Sequence, residues 1–423
     1  MLQIAYLREN KEEAVTRLAK RNLDAETLVS KAIEIDDLRR KAQHESDSVQ
    51  AFINQASKSI GSLMQQGKKG EAEQAKAEVA SLKEKAKQLE AALAGYEKDL
   101  QQHLYTIPNA PSPIVPAGKT PEDNLEIRTS GTIPQLPADA LPHWELAAKY
   151  DLIDFELGVK ITGAGFPVYK GKAARLQRAM VNFFLDNNTK AGYTEYQPPL
   201  VVNEASGYGT GQLPDKEGQM YYIGADDLYM IPTSEVPLTN FFRDEIVKAE
   251  DLPIRLTGYT PCFRREAGSY GKDVRGLNRL HQFDKVEIVQ VQHPDRSYET
   301  LESMVEHVAG LLDQLELPYR ILRLCGGDMG FASAMTYDFE VYSAAQKRWL
   351  EVSSVSNFES FQANRLRLRF REGSDKPKLA HTLNGSALAF PRVLAALLEN
   401  NQSAEGIRIP KALASYAGFD LIS

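Results

Sequence analysis

Two stretches of the chain, 28–63 and 72–104, repeat apolar residues at the spacing of a helical seam, and this narrows the fold more than any other feature. In the first, Leu28, Ala32, Ile35, Ala42, Val49, Ile53, Ala56, Ile60 and Leu63 follow steps of three and four, or seven where a polar residue intervenes. In the second, Ala72, Ala75, Val79, Leu82, Ala86, Leu89, Leu93, Tyr96, Leu100 and Leu104 keep the same rhythm. A period of 3.5 is what two helices packed along each other require. Between them lies Gln66-Gly67-Lys68-Lys69-Gly70, a polar tip whose glycines let the chain reverse. No proline occurs before Pro108. The expectation is an antiparallel helical hairpin, about 28–104, with ~35 residues per helix and a length of about 50 Å.

The hairpin pattern stops at Pro108, Pro111 and Pro113, which cannot propagate a helix. We therefore divide the chain into an N-terminal domain at 1–106, a Pro-rich linker at 107–125 and a larger domain at 126–423. In the last, 171–190 reads as an amphipathic helix and 296–315 as another, starting at Pro294-Asp295. Short β-branched or aromatic runs at 228–231, 286–289 and 319–322 read as strands. Strands with separate helices and no βαβ repeat predict an α+β fold on an antiparallel sheet flanked by helices.

Length and charge agree with this plan. The 423 residues suffice for two or three domains, and the net charge of -7 argues against a surface coated for indiscriminate DNA binding. No apolar run reaches the ~18 residues of a membrane span. Arg8 and Glu9 interrupt the place where an export signal needs its apolar core. Only Cys262 and Cys325 are present, which suits a reducing cytoplasm, and no His/Cys spacing suggests zinc.

Three segments carry groups suited to chemistry. The richest is 257–289, where strand-like ends flank a loop with Arg264, Arg265, Glu266, Lys272, Arg275 and Arg279, and with Gly268, Gly271 and Gly276. Guanidinium groups bind phosphate bidentately and stay charged, glycines let a backbone approach a ligand, and Phe283 offers an aromatic face to a base. The plain alternative is a solvated hairpin turn. In Trp349–Ser356, strict alternation puts Glu351 and Ser353 on one face, with Val352 and Ser354 on the other. A carboxylate and a hydroxyl there would suit magnesium; the alternative is a carboxylate facing solvent. The third segment, His381–Arg392, reads as a strand running into a helix that tolerates Pro391 in its first turn and puts Arg392 near its start. The alternating stretch 365–378 reads as a half-exposed basic strand, and His281 as a hydrogen-bonded structural residue.

In order and spacing these segments resemble the signature motifs of class II aminoacyl-tRNA synthetases, specifically the bacterial-type seryl-tRNA synthetase family. FRREAG followed by RGLNRLHQFDKVE looks like motif 2, HTLNGSALA with Arg392 like motif 3, and Pro198-Pro199 like motif 1. The start, MLQIAYLREN, and the hairpin look like the family's tRNA-binding domain, and TSE at 233–235 like its serine-site segment. Arg265 stands where a smaller residue is common, and Phe390-Pro391 where many members carry a glycine.

The resemblance implies serine activation by ATP to seryl-adenylate and transfer to the 3′ end of tRNA(Ser), with tRNA(Sec) also charged. It implies that Arg264 and Arg392 are catalytic, Arg264 holding the α-phosphate and the serine carboxylate. ATP would be bound by Arg264, Arg265, Glu266, Arg279, Phe283, Glu351, Val352, Ser353, Ser354 and Arg392, with Glu351 and Ser354 holding Mg2+. L-Serine would be bound by Thr233, Ser234, Glu235, Arg264, Glu287, Asn384 and Ser386. Arg39, Arg40, Lys58, Lys68, Lys69 and Lys76 are candidate phosphate contacts of the arm. A cytoplasmic homodimer is implied, with the arm of one subunit serving the other. The rival readings are a catalytically inactive tRNA-binding paralogue and an amino acid:carrier-protein ligase. The second lacks the long arm, and a purely structural coiled coil would account for 28–104 alone.

Overall fold

The computed structural model describes residues 1–215, 218–266 and 275–423. They form two compact units: one of residues 2–19 and 23–108, the other of Met1, residues 20–22 and residues 109–423.

The first unit is helical. Two short helices, Ile4–Glu9 and Lys11–Ala19, precede α1 (Ala25–Gln65) and α2 (Lys69–Leu104). Asp24 caps α1 by accepting from the Thr27 backbone N–H, as an N-cap acid should. At the tip Gly67 takes φ +75, a conformation that costs a side-chain-bearing residue energy. The seam is the one the periodicity predicts: Val49, Ile53, Val79 and Ala86 are buried, with Ala56, Ile60, Leu82 and Leu89 against them.

The second unit is built on an eight-stranded sheet. Its strands are β1 (Leu125–Ser130), β2 (Thr194–Glu195), β3 (Ile254–Phe263), β4 (Gln282–Gln292), β5 (Tyr319–Arg323), β6 (Met335–Ser343), β7 (Arg348–Asn357) and β8 (His381–Ala389). Their order is β1-β5-β6-β7-β8-β4-β3-β2, antiparallel except for β2 beside β3. Three helices, α3 (Gly171–Lys190), α5 (Ser297–Gln314) and α6 (Phe390–Asn400), cover one face. They bury Leu176, Met180, Phe184, Met304, Val308 and Leu394 against Val286, Ile288, Phe339, Val355 and Leu383 of the sheet. Burial of these side chains, roughly 1.5–3 kcal/mol each, is what fixes the face of every strand. The opposite face is therefore free to carry polar groups. A short helix, α4 (Glu235–Asn240), lies on that side, with Leu238 against Leu256 and Val289.

Residues 109–118 belong to this unit: the backbone N–H groups of Asn109 and Ser112 donate to Phe331 and Ala334 carbonyls at 2.9 and 2.7 Å. One expectation is corrected. The stretch 365–378 is not one strand. Leu366 ends the helix Phe361–Leu366, Arg367 turns the chain at φ +55, and strand structure is confined to Arg369–Arg371 and Lys378–Leu379. Leu366, Leu368 and Phe370 are all buried, so the alternation reports burial without reporting the element.

Candidate active site

The polar face of β4 and β8 holds a cluster of buried polar side chains. Because side chains alternate, Val286 and Ile288 enter the core while Lys285 and Glu287 face the other way. Glu287 lies directly opposite Ser386 on β8 and Gly258 on β3. At Gly258 a Cβ would come within 2.9 Å of the Tyr196 carbonyl, so only glycine lets the chain beside Glu287 pass. Glu287 accepts from Thr233 Oγ1 at 3.1 Å and pairs with Lys285 Nζ at 2.5 Å, both partners buried. Thr233 Oγ1 in turn accepts from the backbone N–H of Glu235 at the start of α4.

Glu235 is the second buried acid. Burial, and then the nearby Glu287 carboxylate, push its carboxyl up to about 7, against the opposing effects of Gln362, Lys285 and Asn384. Gln362 Nε2 donates to it at 2.7 Å, and Thr382 Oγ1 fixes that amide by donating to Gln362 Oε1 at 2.7 Å. Thr233, Glu235, Glu287, Asn384 and Ser386 are thus brought together. Ser234 is buried, and its hydroxyl donates to the Gly258 carbonyl. Lys285 and Gln362 were missed. A lysine two residues before a buried glutamate on one strand was a readable signal for the first; nothing local marked the second.

The arginines cluster around the loop between β3 and β4. Arg264 follows the last residue of β3, donates from Nε to the Pro232 carbonyl at 3.4 Å and lies over Phe283, 5.2 Å from its ring centre. Arg265 lies over Tyr221 at 5.7 Å. Arg279 Nη1 donates to Glu266 Oε2 at 2.8 Å, tying together the two sides of a loop whose Gly268, Gly271 and Lys272 lie outside the described residues. His281 Nδ1 is 3.0 Å from both the Tyr221 hydroxyl and the Arg264 carbonyl, a structural role. Arg392 is the third residue of α6, with Pro391 in its first turn. It donates to the carbonyls of Asn278 at 3.0 Å and Glu351 at 2.9 Å, and lies 3.7 Å from the Glu351 carboxylate.

Strict alternation fails on β7. Between β6 and β7, Phe339 pairs with Ser353 but Glu340 pairs with Glu351, so Val352 is an extra residue. This bulge puts Glu351 and Ser354 on one face with Glu340 and Asp338. Val352 is buried in the core and Ser353 spends its hydroxyl on the Ser386 carbonyl at 2.6 Å. The expected pairing of Glu351 with Ser353 is thereby corrected to Glu351 with Ser354. Asp338 Oδ1 beside them is buried with no hydrogen-bond partner, and burial followed by the Glu351 charge raises the Asp338 carboxyl well above its usual range. An orphaned carboxylate oxygen next to a second carboxylate and a hydroxyl fits a hard, oxygen-seeking cation. Among the described residues no three His, Cys, Asp or Glu side chains are placed to hold a metal alone.

On the arm, Arg39 is engaged with buried Asp36 at 2.8 Å, and Lys68 and Lys76 with Glu71 and Glu73 at 3.5 and 2.6 Å. Arg40, Lys58 and Lys69 are exposed. The Lys68 and Lys76 pairs are exposed and hold little energy, whereas Arg39 is held by a buried carboxylate.

Comparison with known proteins adds the following. Residues 1–111 match the seryl-tRNA synthetase N-terminal domain, and residues 222–401 the tRNA synthetase class II core domain (G, H, P, S and T). A serine–tRNA ligase of Salinibacter ruber is 52% identical over 421 residues, covering 99% of this chain and 98% of the relative. The solved seryl-tRNA synthetase of Pyrococcus horikoshii, complexed with ATP, superposes with a TM-score of 0.94 at 33% identity, covering 100% of this chain and 99% of that one. The cytoplasmic enzyme of Naegleria fowleri in complex with AMP gives 0.89 at 27% identity, with the same coverage.

Proposed function

The chain belongs to the seryl-tRNA synthetase family, and from that premise we propose how its residues carry out the reaction. It is an ATP-dependent serine–tRNA ligase. A serine carboxylate oxygen attacks the α-phosphorus of ATP, the P–O bond to the leaving pyrophosphate breaks, and seryl-adenylate forms. A terminal ribose hydroxyl of tRNA(Ser) then attacks the acyl carbon and AMP leaves. The attacking carboxylate is already a nucleophile, so alignment and charge neutralisation are the protein's main tasks.

Arg264 sits where the two reactants meet and neutralises both the serine carboxylate and the α-phosphate. Phe283, already under Arg264, stacks on adenine, and Glu266 and Arg265 line the adenine end. Arg279 and Arg392 hold the outer phosphates, which compete with Glu266 and Glu351 for them. Glu235 takes the serine ammonium group; Glu287 and Ser386, facing each other across the strands, take its side-chain hydroxyl, with Thr233, Ser234 and Asn384 completing the pocket. Glu351 and Ser354, with Asp338 behind them, would hold Mg2+, which when bound offsets phosphate charge. Ser353 and Val352 shape the strand from the other side.

Residues 1–106 serve as the tRNA-binding domain, joined through 107–125 to a catalytic domain at 126–423. Serine tRNAs share no single anticodon, so a long arm that grips the tRNA body through Arg39, Arg40, Lys58, Lys68, Lys69 and Lys76 suits tRNA(Ser) and also tRNA(Sec). A homodimer paired through the region of Pro198 and Pro199, in the cytoplasm, completes the reading.

The observation that carries it is the buried polar cluster in which Glu287 faces Ser386. A site built to pair a substrate hydroxyl rejects the analogue lacking it by ~10⁴-fold. The test is ATP–pyrophosphate exchange with each of the twenty amino acids and no tRNA. Exchange with serine alone is expected. A folded protein that exchanges with none would be the inactive tRNA-binding paralogue.

A further inference from the structure

A ring of buried hydrogen bonds ties the descending side of the β3–β4 loop to α6. His143, at the start of the helix His143–Lys149, is completely buried, as is Glu399 in α6. The Leu277 backbone N–H points at His143 Nε2 at 2.8 Å. An amide N–H can only donate, so Nε2 is the accepting nitrogen and the ring proton is on Nδ1, aimed at Glu399 Oε1 2.7 Å away. The His143 backbone N–H and Gln346 Nε2 also donate to Glu399 Oε1, each at 2.9 Å, and the Ser343 hydroxyl donates to Oε2. Burial would raise the Glu399 carboxyl, but the donors from His143 and Ser343 bring it below its usual value.

Gln346 closes the circuit. Its Oε1 accepts from Asn278 Nδ2 at 3.0 Å, and the Asn278 carbonyl is the group that receives Arg392 Nε. Arg392 lies seven residues before Glu399, two turns along the same face of α6. One face of the helix thus carries both the phosphate-directed guanidinium and the acid that anchors the loop. Gly276 is part of the fit: at φ +65, a Cβ there would lie 2.2 Å from His143 Nε2.

We propose that His143, through Glu399 and the Leu277–Asn278 backbone, is a positioning residue for Arg392, fixing the guanidinium that receives the ATP polyphosphate. It touches no substrate. The inference rests on the reading of Arg392 as a phosphate-binding arginine, and it assigns the ring to ATP alone, because none of Thr233, Glu235 and Glu287 belongs to it.

The test compares two substitutions that fill the same volume. His143→Leu leaves the Leu277 N–H and the Glu399 carboxylate without partners, whereas His143→Gln retains one donor and one acceptor. In pyrophosphate exchange, the loss of such a buried pair predicts an ATP KM higher by about tenfold or more for the leucine variant. The serine KM should stay within about twofold, and His143→Gln should recover most of the ATP affinity. Gln346→Ala, at a half-buried position, removes one link with less risk to folding and should raise the ATP KM more modestly. Equal rises in both KM values, or leucine performing as well as glutamine, would overturn the proposal in favour of a packing role. So would failure of His143→Leu to fold while Gln346→Ala keeps a wild-type ATP KM. No serine-dependent exchange by the wild-type protein would instead defeat the functional reading itself.

Discussion

Glu235 and Glu287, two buried acids on α4 and β4, repel each other across the pocket, and only Glu287 has a lysine, Lys285, as its ion-pair partner. Between the ordinary glutamate value and about 7, the folded protein therefore holds a proton on Glu235 that the unfolded chain has lost. The stability this gives is fully present at acid pH and is lost as pH rises through 7. Glu235→Gln, which still accepts from Gln362, should flatten the dependence of thermal stability on pH between 5 and 8. Serine's ammonium group favours the ionised acid, so the serine KM should fall as pH rises from 6 to 7.5. A KM that does not vary with pH over that range would remove Glu235 from ammonium binding.

Arg264 lies over Phe283 and donates to the Pro232 carbonyl, and the role proposed for it is to meet both the serine carboxylate and the α-phosphate. Arg264→Ala should reduce serine-dependent exchange by about 10³-fold or more while circular dichroism and tRNA binding change little, since the lost interaction matters most in the transition state. Exchange within tenfold of wild type would move the central role elsewhere.

The Glu287–Lys285 pair separates binding from folding. Glu287→Ala strands a buried ammonium and should cost about 3–5 kcal/mol of stability in denaturant unfolding. Ser386→Ala removes only a hydroxyl, so it should leave stability nearly intact and reduce the preference for serine over alanine by about tenfold. The same loss of stability in both variants would point to packing at Ser386 rather than selectivity.

Deletion of residues 35–98 shortens α1 and α2 but leaves the strands that carry the pocket. Pyrophosphate exchange should survive and tRNA(Ser) charging should collapse. Equal loss of both would mean that the arm supports the active site as well as tRNA.

Sequence periodicity was most informative where one local rule decides the outcome. The seam of the hairpin, α3 over 171–190, and the Pro391 entry into α6 each follow from helix geometry alone. The bulge at Val352 was hidden because it is a property of two strands: only the pairing with Phe339 and Glu340 reveals the extra residue. Resemblance to the family paired Glu351 with Ser354, whereas alternation along β7 alone paired Glu351 with Ser353; the register with β6 decides between them. The His143–Glu399 contact was invisible for a different reason, since 256 residues separate its partners and neither sits in a recognisable motif.

That single extra residue on β7 is where the strand can lose a residue without losing its register, and it makes chain length a hard constraint everywhere beside it. Removing Val352 would restore perfect alternation and leave Glu351 opposite Glu340, still on the face of Ser354 and Asp338. Removing a residue where the pairing is regular would instead rotate one side of the strand by half a turn, sending polar groups inward and apolar ones out to water. The damage there would come from arithmetic rather than chemistry, since no residue of the polar face would have changed identity. At Gln66–Lys68, by contrast, the chain turns in solvent, and a residue gained or lost there shifts nothing but the tip. Insertions and deletions in this protein should therefore accumulate at the end of the arm and be purged from the middle of the sheet.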